Sequence, residues 1–280
     1  MALSTSQVEE FLAGGPAIDV RLAALKGSSP REAGAWMLVS QGSVIGTIGG
    51  GQLEYMMIDE ARKMLRNAQS SHQLDVPLGP EIGQCCGGHV TIELRIVTEP
   101  KQILQRVQVE LDAQPDILIF GAGHVGKALA QSLSLLPVNP ILIDQRESEL
   151  PSIKGVENRL SPLPEAELRK AKPGSAIVVL THDHALDFLI TGEALALGHF
   201  AYVGMIGSKT KRATFKSWLR EAYGGEVDAL ELICPIGGQK GTDKRPEVIA
   251  AFVGAEIIQT LDQAGQLVAN HRVGGMVDAG

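Results

Sequence analysis

The sequence predicts an α/β protein in two parts, a small N-terminal α+β domain followed by a domain built on a parallel sheet. Three observations carry this. The rhythm of the chain changes near residue 100, short apolar runs then alternate with helical patterns, and one of those runs leads straight into a glycine-rich turn. The division expected is an N-terminal domain over residues 1–98, a connecting helix over 99–115, a parallel-sheet domain over 116–265 and a flexible tail over 266–280, the tail on account of its glycines and small residues.

In the first part, residues 36–40 and 43–48 read as two short strands, because apolar and β-branched residues flank a Gln41-Gly42 turn. Gly49, Gly50 and Gly51 then break the chain. Leu53, Met56, Met57, Ala61, Met64 and Leu65 follow at three- and four-residue intervals, which places them on one helical face. Val90, Ile92, Leu94 and Ile96 alternate with polar neighbours, the pattern of a half-buried strand. Pro100 stands where a helix can start, and Ile103, Leu104, Val107 and Leu111 give the next segment an apolar stripe ending before Pro115. In the second part the strand-like runs are 116–120, 140–144, 176–180 and 201–206, with helical patterns between them, so their sheet is parallel.

Composition narrows the function. With 280 residues, 44% of them hydrophobic, the chain has material for about two domains. Lys and Arg number 25 against 32 Asp and Glu, a net charge of -7, which argues against nucleic acid as a partner. No apolar run is long enough for a membrane span, and residues 1–10 lack the basic start and apolar stretch of a secretory leader, so a cytoplasmic location is expected. Of three cysteines, Cys85 and Cys86 are adjacent, a poor basis for a disulfide framework; reduced thiols are expected.

The strongest motif is the run from Ile117 to Phe120 entering Gly121-Ala122-Gly123-His124-Val125-Gly126, a strand, a G-x-G-x-x-G turn and a helix. Glycines here permit a tight turn and close approach of the backbone to a pyrophosphate, whose charge meets free N–H groups at the helix start. Asp144 ends the next strand about twenty residues on, where a carboxylate accepts from ribose hydroxyls. Together these predict a Rossmann-like domain, and the bland alternative is that the glycines only let helix and strand pack. Three more clusters fall at strand ends. His182 and His184, with Thr181, Asp183 and Asp187, can donate to an anionic or heterocyclic ligand, or Asp183 or Thr181 can simply cap the next helix; no third ligand has metal-site spacing, so no metal is expected. Ser208 and Lys209, with Lys211 and Arg212, put a cap and cations at a helix start, a costly arrangement unless a phosphate sits there or the cations form a solvated face. Cys234 to Gly238 reads as a loop pressed close to a neighbour, its lone Cys a small buried group. In the N-terminal domain, Cys85 and Cys86 lie in Gly83-Gln84-Cys85-Cys86-Gly87-Gly88, either as sulfur-handling thiols or as small residues packed in a turn. Gly49 to Gly51 can likewise cradle an anion or simply turn.

Seven blocks in order, at 27–31 with Gly34-Ala35, 46–51, 83–88, 121–126, 181–187, 204–211 and 234–237, resemble the XdhC/CoxI family of accessory proteins that mature xanthine dehydrogenase and related molybdenum hydroxylases. The resemblance runs over nearly the whole chain. It implies a maturation chaperone rather than an enzyme, one that binds molybdenum cofactor (molybdopterin), assists a cysteine desulfurase in replacing an oxo ligand by sulfur, and delivers the product to the molybdenum-binding subunit of xanthine dehydrogenase in purine catabolism. It implies a homodimer, Cys85 and Cys86 near the cofactor or its sulfur, and a ligand held by the loops at Gly121, His182 and Lys209. One departure is that the family pattern of Lys, acid, Pro reads here as Lys244-Arg245-Pro246. Two other readings stay open. One is an NAD(P)-dependent oxidoreductase, with pyrophosphate on Gly121, Gly123 and Gly126, ribose on Asp144, and His124 or His182 as acid–base residue. The other is a thiol and persulfide relay through Cys85 and Cys86.

Overall fold

The structure is a computed structural model and describes residues 3–27, 32–79, 88–238 and 243–267. The chain forms two compact units, divided between Ala113 and Gln114.

The first unit runs α1 (Thr5–Ala13), β1 (Ile18–Lys26), β2 (Trp36–Val39), β3 (Val44–Gly46), α2 (Gly51–Arg66), β4 (Ser71–Pro77), β5 (His89–Ile96) and α3 (Pro100–Asp112). Its sheet has the order β3-β2-β1-β5-β4, every neighbouring pair antiparallel. Because successive side chains of a strand point to opposite faces, Ile18, Val20, Leu22, Met37 and Val39 pack on one side with Leu53, Met57, Ala61 and Met64 of α2. Trp36 and Leu38 turn to the other side, against Val8 of α1 and Ile103 and Val107 of α3. Two covered faces explain why β2 reads as an unbroken apolar run. The second face also holds charge. Arg106 of α3 donates through Nη1 and Nη2 to the two oxygens of Asp19 on β1, both at 3.0 Å, and its guanidinium lies 4.2 Å from the Trp36 ring centre. Trp36 Nε1 donates to Glu110 at 3.0 Å, and burial pushes the Glu110 carboxyl above its ordinary range.

The second unit runs β6 (Asp116–Phe120), α4 (His124–Leu133), β7 (Asn139–Asp144), a 3-10 turn (Glu147–Glu149), β8 (Glu157–Leu160), a second 3-10 turn (Pro164–Lys170), β9 (Ala176–Val179), α5 (His184–Leu197), β10 (Tyr202–Met205), α6 (Lys209–Ala222), β11 (Leu232–Ile233) and α7 (Pro246–Gln263). All pairs are parallel, in the order β11-β10-β9-β6-β7-β8. The first strand thus lies inside the sheet, with the next two on one side and the last three on the other, which is the doubly wound Rossmann order. Ile117, Ile119, Leu142 and Val178 pack with Leu129 and Leu133 of α4 and Val253 and Ile257 of α7. Leu118, Phe120, Ile141, Ile143, Ile177 and Val179 pack on the other face with Ile190 of α5 and Phe215 and Leu219 of α6. A fully buried Leu or Ile contributes about 2 kcal/mol, so both faces hold the sheet.

The four strand runs read from the sequence are β6, β7, β9 and β10, and the amphipathic segment after Pro100 is α3, which packs within the first unit. Among the described residues no helix is long and apolar enough to cross a membrane.

The glycine turn fixes how closely α4 lies on β6. A Cβ on Gly126 would sit 2.0 Å from the carbonyl oxygen of Gly121, a backbone atom that cannot step aside. Gly126→Ala is expected to destabilise the second unit by about 3 kcal/mol, at the upper end of overpacking costs. Urea unfolding in a Trp36→Phe background checks it, because Trp218 is then the one tryptophan left and reports on the second unit.

Candidate functional site

In an open α/β sheet the carboxyl ends of the strands leave a crevice where the strand order reverses, and here the reversal lies between β6 and β9. A cavity of about 270 Å³ opens beside it. Phe120 and Gly121 after β6, Ile143, Asp144, Gln145 and Arg146 at the end of β7, Pro164, and Thr181, His182, Asp183 and Leu186 after β9 line it.

Each glycine of the turn has its own task. Gly121 has φ +112°, and a Cβ there would meet the carbonyl of Leu180 at 2.6 Å, so it lets the ends of β6 and β9 touch. Gly126 provides the close helix packing described above. Gly123 caps α4 with no side-chain oxygen accepting from the helix start. A Cβ on Gly123 would lie 3.1 Å from His182 Nε2, which puts the imidazole directly over the turn. His182 therefore stands beside the start of α4.

The loop carrying His182 is held by a buried carboxylate. Asp187, in the first turn of α5, has no solvent exposure. Its Oδ1 accepts from the Thr181 backbone N–H at 3.0 Å and from the Thr181 hydroxyl at 2.6 Å, and its Oδ2 accepts from Lys211 Nζ. Lys211 also donates to the carbonyl of Ile206 at 2.9 Å. The ends of β9 and β10 and the starts of α5 and α6 meet at this one ion pair.

Asp144 is also fully engaged. Its Oδ1 accepts from the Arg146 backbone N–H and from Arg146 Nε, each at 3.0 Å. Its Oδ2 accepts from the Ala122 N–H at 2.8 Å and from Arg146 Nη2 at 3.1 Å. Burial pushes this carboxyl up, but the Arg146 guanidinium and the two N–H groups outweigh it and hold the pKa below the ordinary Asp range. The carboxylate placed by sequence spacing for a ribose is thus occupied by the turn's own Ala122 and by Arg146. Lys127 reaches Glu149 at 2.7 Å and anchors the 3-10 turn that follows Arg146.

Of the residues singled out from sequence, the structure brings Gly121, Asp144 and His182 to the cavity, with Gly123 against His182. Gly126 is buried beneath the turn, and His124 and His184 are exposed at the first positions of α4 and α5. Asp183 caps α5, accepting from the N–H groups of Ala185 and Leu186, and Ser208 caps α6, accepting from Lys211. Lys209 is exposed, and the cation of that cluster which turns inward is Lys211. Cys85 and Cys86 lie outside the described residues. The Cys234 loop presses on α7: Gly237 and Gly238 donate to Glu256 at 3.2 and 3.1 Å, and Glu256 also accepts from the buried Tyr202 hydroxyl at 2.7 Å. Burial pushes both the Tyr202 hydroxyl and the Cys234 thiol up. In the first unit the N–H groups of Ile48 and Gly50 donate to Glu54 at 3.2 and 3.1 Å, so the glycine turn there holds the chain's own carboxylate. Arg146 is the site residue that sequence reading passed over. The signal was its position two residues beyond the acid at the strand end, where an Arg meets a 2′-phosphate in some Rossmann units. Among the described residues no group of three or more His, Cys, Asp or Glu is placed to hold a metal ion.

Comparison with known proteins follows the two units. The model for the XdhC Rossmann domain matches residues 117–257, and that for the XdhC and CoxI family matches residues 12–76. The chain is similar to the uncharacterized protein YqeB of Escherichia coli strain K12, 28% identical over 250 residues, 85% of this chain and 42% of that protein. It therefore spans about two fifths of that relative's length, 42%. A solved structure described as a xanthine dehydrogenase from Bacillus halodurans matches with a TM-score of 0.75 at 20% identity, covering 93% of this chain and 96% of that one. At that identity the likeness shows the fold.

Two outcomes are expected from this geometry. Asp187→Ala strands the Lys211 charge and costs about 3–5 kcal/mol, whereas Asp187→Leu with Lys211→Met costs less than the single change, because the desolvation of both charges is removed; denaturant unfolding of the three variants measures it. For Asp144, the depressed pKa contributes stability above the unfolded-state value near 4, lost as pH falls through the lower folded-state value. Asp144→Asn is therefore expected to cost roughly 2 kcal/mol at pH 7, and the gap from the natural chain narrows in melts run below about pH 4.

Proposed function

Because the chain belongs to the XdhC and CoxI family, we propose that it is an accessory protein that matures xanthine dehydrogenase. It takes up molybdenum cofactor as cargo, holds it while a cysteine desulfurase supplies sulfur in place of an oxo ligand, and passes it to the molybdenum-binding subunit of the client in purine catabolism. In this reading it works in the cytoplasm as a homodimer, and Cys85 and Cys86 handle the sulfur.

The observation that carries the reading is the crevice at the sheet reversal, where Gly121 of the glycine turn and His182 line one cavity and His182 lies against Gly123 at the start of α4. Molybdenum cofactor offers a phosphate and a flat heterocycle. The helix start and His182 suit the first, and a cleft between Phe120, Ile143 and Leu186 suits the second. The oxidoreductase reading draws on the same strand order, which also holds nicotinamide dinucleotides. Against it stands the Asp144 carboxylate, whose acceptor positions are filled.

Equilibrium binding of the purified chain to molybdenum cofactor and to NAD(H) tests the two. Molybdenum cofactor is expected to bind, Gly123→Asp to weaken it by at least about tenfold, or 1.4 kcal/mol, and Cys85→Ala or Cys86→Ala to lower its binding or sulfuration. If only NAD(H) binds, and only Gly123→Asp abolishes it, the chain is an oxidoreductase.

A further inference from the structure

We propose that Arg146 makes the crevice selective for ligands carrying a phosphomonoester and against ligands offering an unmodified ribose diol. The proposal rests on the reading of this crevice as the ligand site, and it names the chemistry that the site accepts.

An ionised carboxylate has about four acceptor positions, and the four donors described above fill those of Asp144. A ribose hydroxyl can enter only if Arg146 leaves, and three of the four donors belong to Arg146. The fourth, the Ala122 N–H, is fixed in the glycine turn. Both residues line the cavity, and the Arg146 side chain is 49% exposed against 6% for that of Asp144, so the guanidinium is the more accessible group of the pair. Arg146 commits Nε and one N–H of Nη2 to Asp144, and its Nη1 has Glu149 Oε1 at 3.9 Å, beyond hydrogen-bond reach. Donors on Nη1 and Nη2 remain in a planar fork that fits two oxygens of a phosphate.

Two other acids near the cavity have partners within the chain. Glu149 is bound to Lys127, and Asp183 spends its carboxylate on the start of α5. Gln145 and Thr181 add neutral polar groups, and His182 an imidazole, around the same space. The phosphate of molybdenum cofactor and the 2′-phosphate of NADPH are both phosphomonoesters, so one arrangement serves either source, whereas NADH presents the diol.

The test is equilibrium binding of NADPH, NADH and molybdenum cofactor to the full chain and to Arg146→Gln and Arg146→Lys, with thermal melts to confirm that each variant folds. Arg146→Gln is expected to weaken every phosphomonoester ligand that the natural chain binds by at least about tenfold, to leave NADH unweakened or improve it by freeing Asp144, and so to erase any preference for NADPH. Arg146→Lys keeps the charge but not the fork and falls between. Unchanged phosphomonoester binding in Arg146→Gln, NADH bound by the natural chain as tightly as NADPH, or no binding of either phosphomonoester overturns the proposal. NADPH selectivity without uptake of molybdenum cofactor sinks the accessory reading and leaves this one standing. Uptake of the cofactor indifferent to Arg146 does the reverse.

Discussion

The Asp187 carboxylate is the constraint on which the crevice depends. Removing a carboxylate and an ammonium from water costs several kcal/mol for each ion, and the pair is tolerable only when every remaining lone pair and proton finds a partner. Here the partners are the elements that must be joined. Thr181 uses both its N–H and its hydroxyl, Lys211 spans from α6, and the carbonyl of Ile206 at the end of β10 takes a further proton of the ammonium. His182 follows Thr181 in the chain, so its place over Gly123 is inherited from this buried contact and not from any bond of its own ring. The first unit meets the same need with Asp19 and Arg106, where a strand carboxylate receives the fork of a helix guanidinium.

A second theme is that backbone N–H groups at glycine-rich bends are met by the chain's own acids. Glu54 fills the bend at Gly50, Glu256 the bend at Gly237 and Gly238, and Asp144 takes the Ala122 N–H within the turn before α4. An acid already in place raises the cost of bringing a second anion to the same N–H groups. The start of α4, capped by Gly123 without a side-chain oxygen, carries no such internal acid at its helix end. Within this one turn the Ala122 N–H is met by Asp144, while the helix end that follows lies against His182.

Much of the fold was legible. The inner strands of the second sheet are buried on both faces, so their sequences are nearly continuous apolar runs, and their boundaries were read to within a residue or so. Edge strands escaped for the opposite reason: β8 carries Glu157 and Arg159 toward solvent, and β11 is only two residues long. β1 was missed although Ile18, Val20 and Leu22 alternate with Asp19 and Arg21, and the burial of Asp19 makes sense only once Arg106 arrives from a segment 87 residues away. In the site, the glycines and Asp144 declare themselves by spacing, and so does the cap at Asp183. Arg146 and Lys211 do not, because a cation in sequence looks alike whether it faces solvent or pairs with a buried acid. Lys211 is distinguished only by Asp187, which meets it across 24 residues of chain, whereas Arg146 has its acid two residues away and was passed over all the same.

The contact of Tyr202 with Glu256 bears on how the second unit comes together during synthesis. β10 and the bend at Gly237 precede α7 in the chain, so until α7 docks the Tyr202 hydroxyl and the two glycine N–H groups are met by water alone. Their acceptor is a single side chain 54 residues beyond Tyr202. Until α7 docks, the α4 side of the sheet also lacks Val253 and Ile257. A nascent second unit therefore holds an open apolar face and three hydrated donors on one flank, and the arrival of one helix covers both.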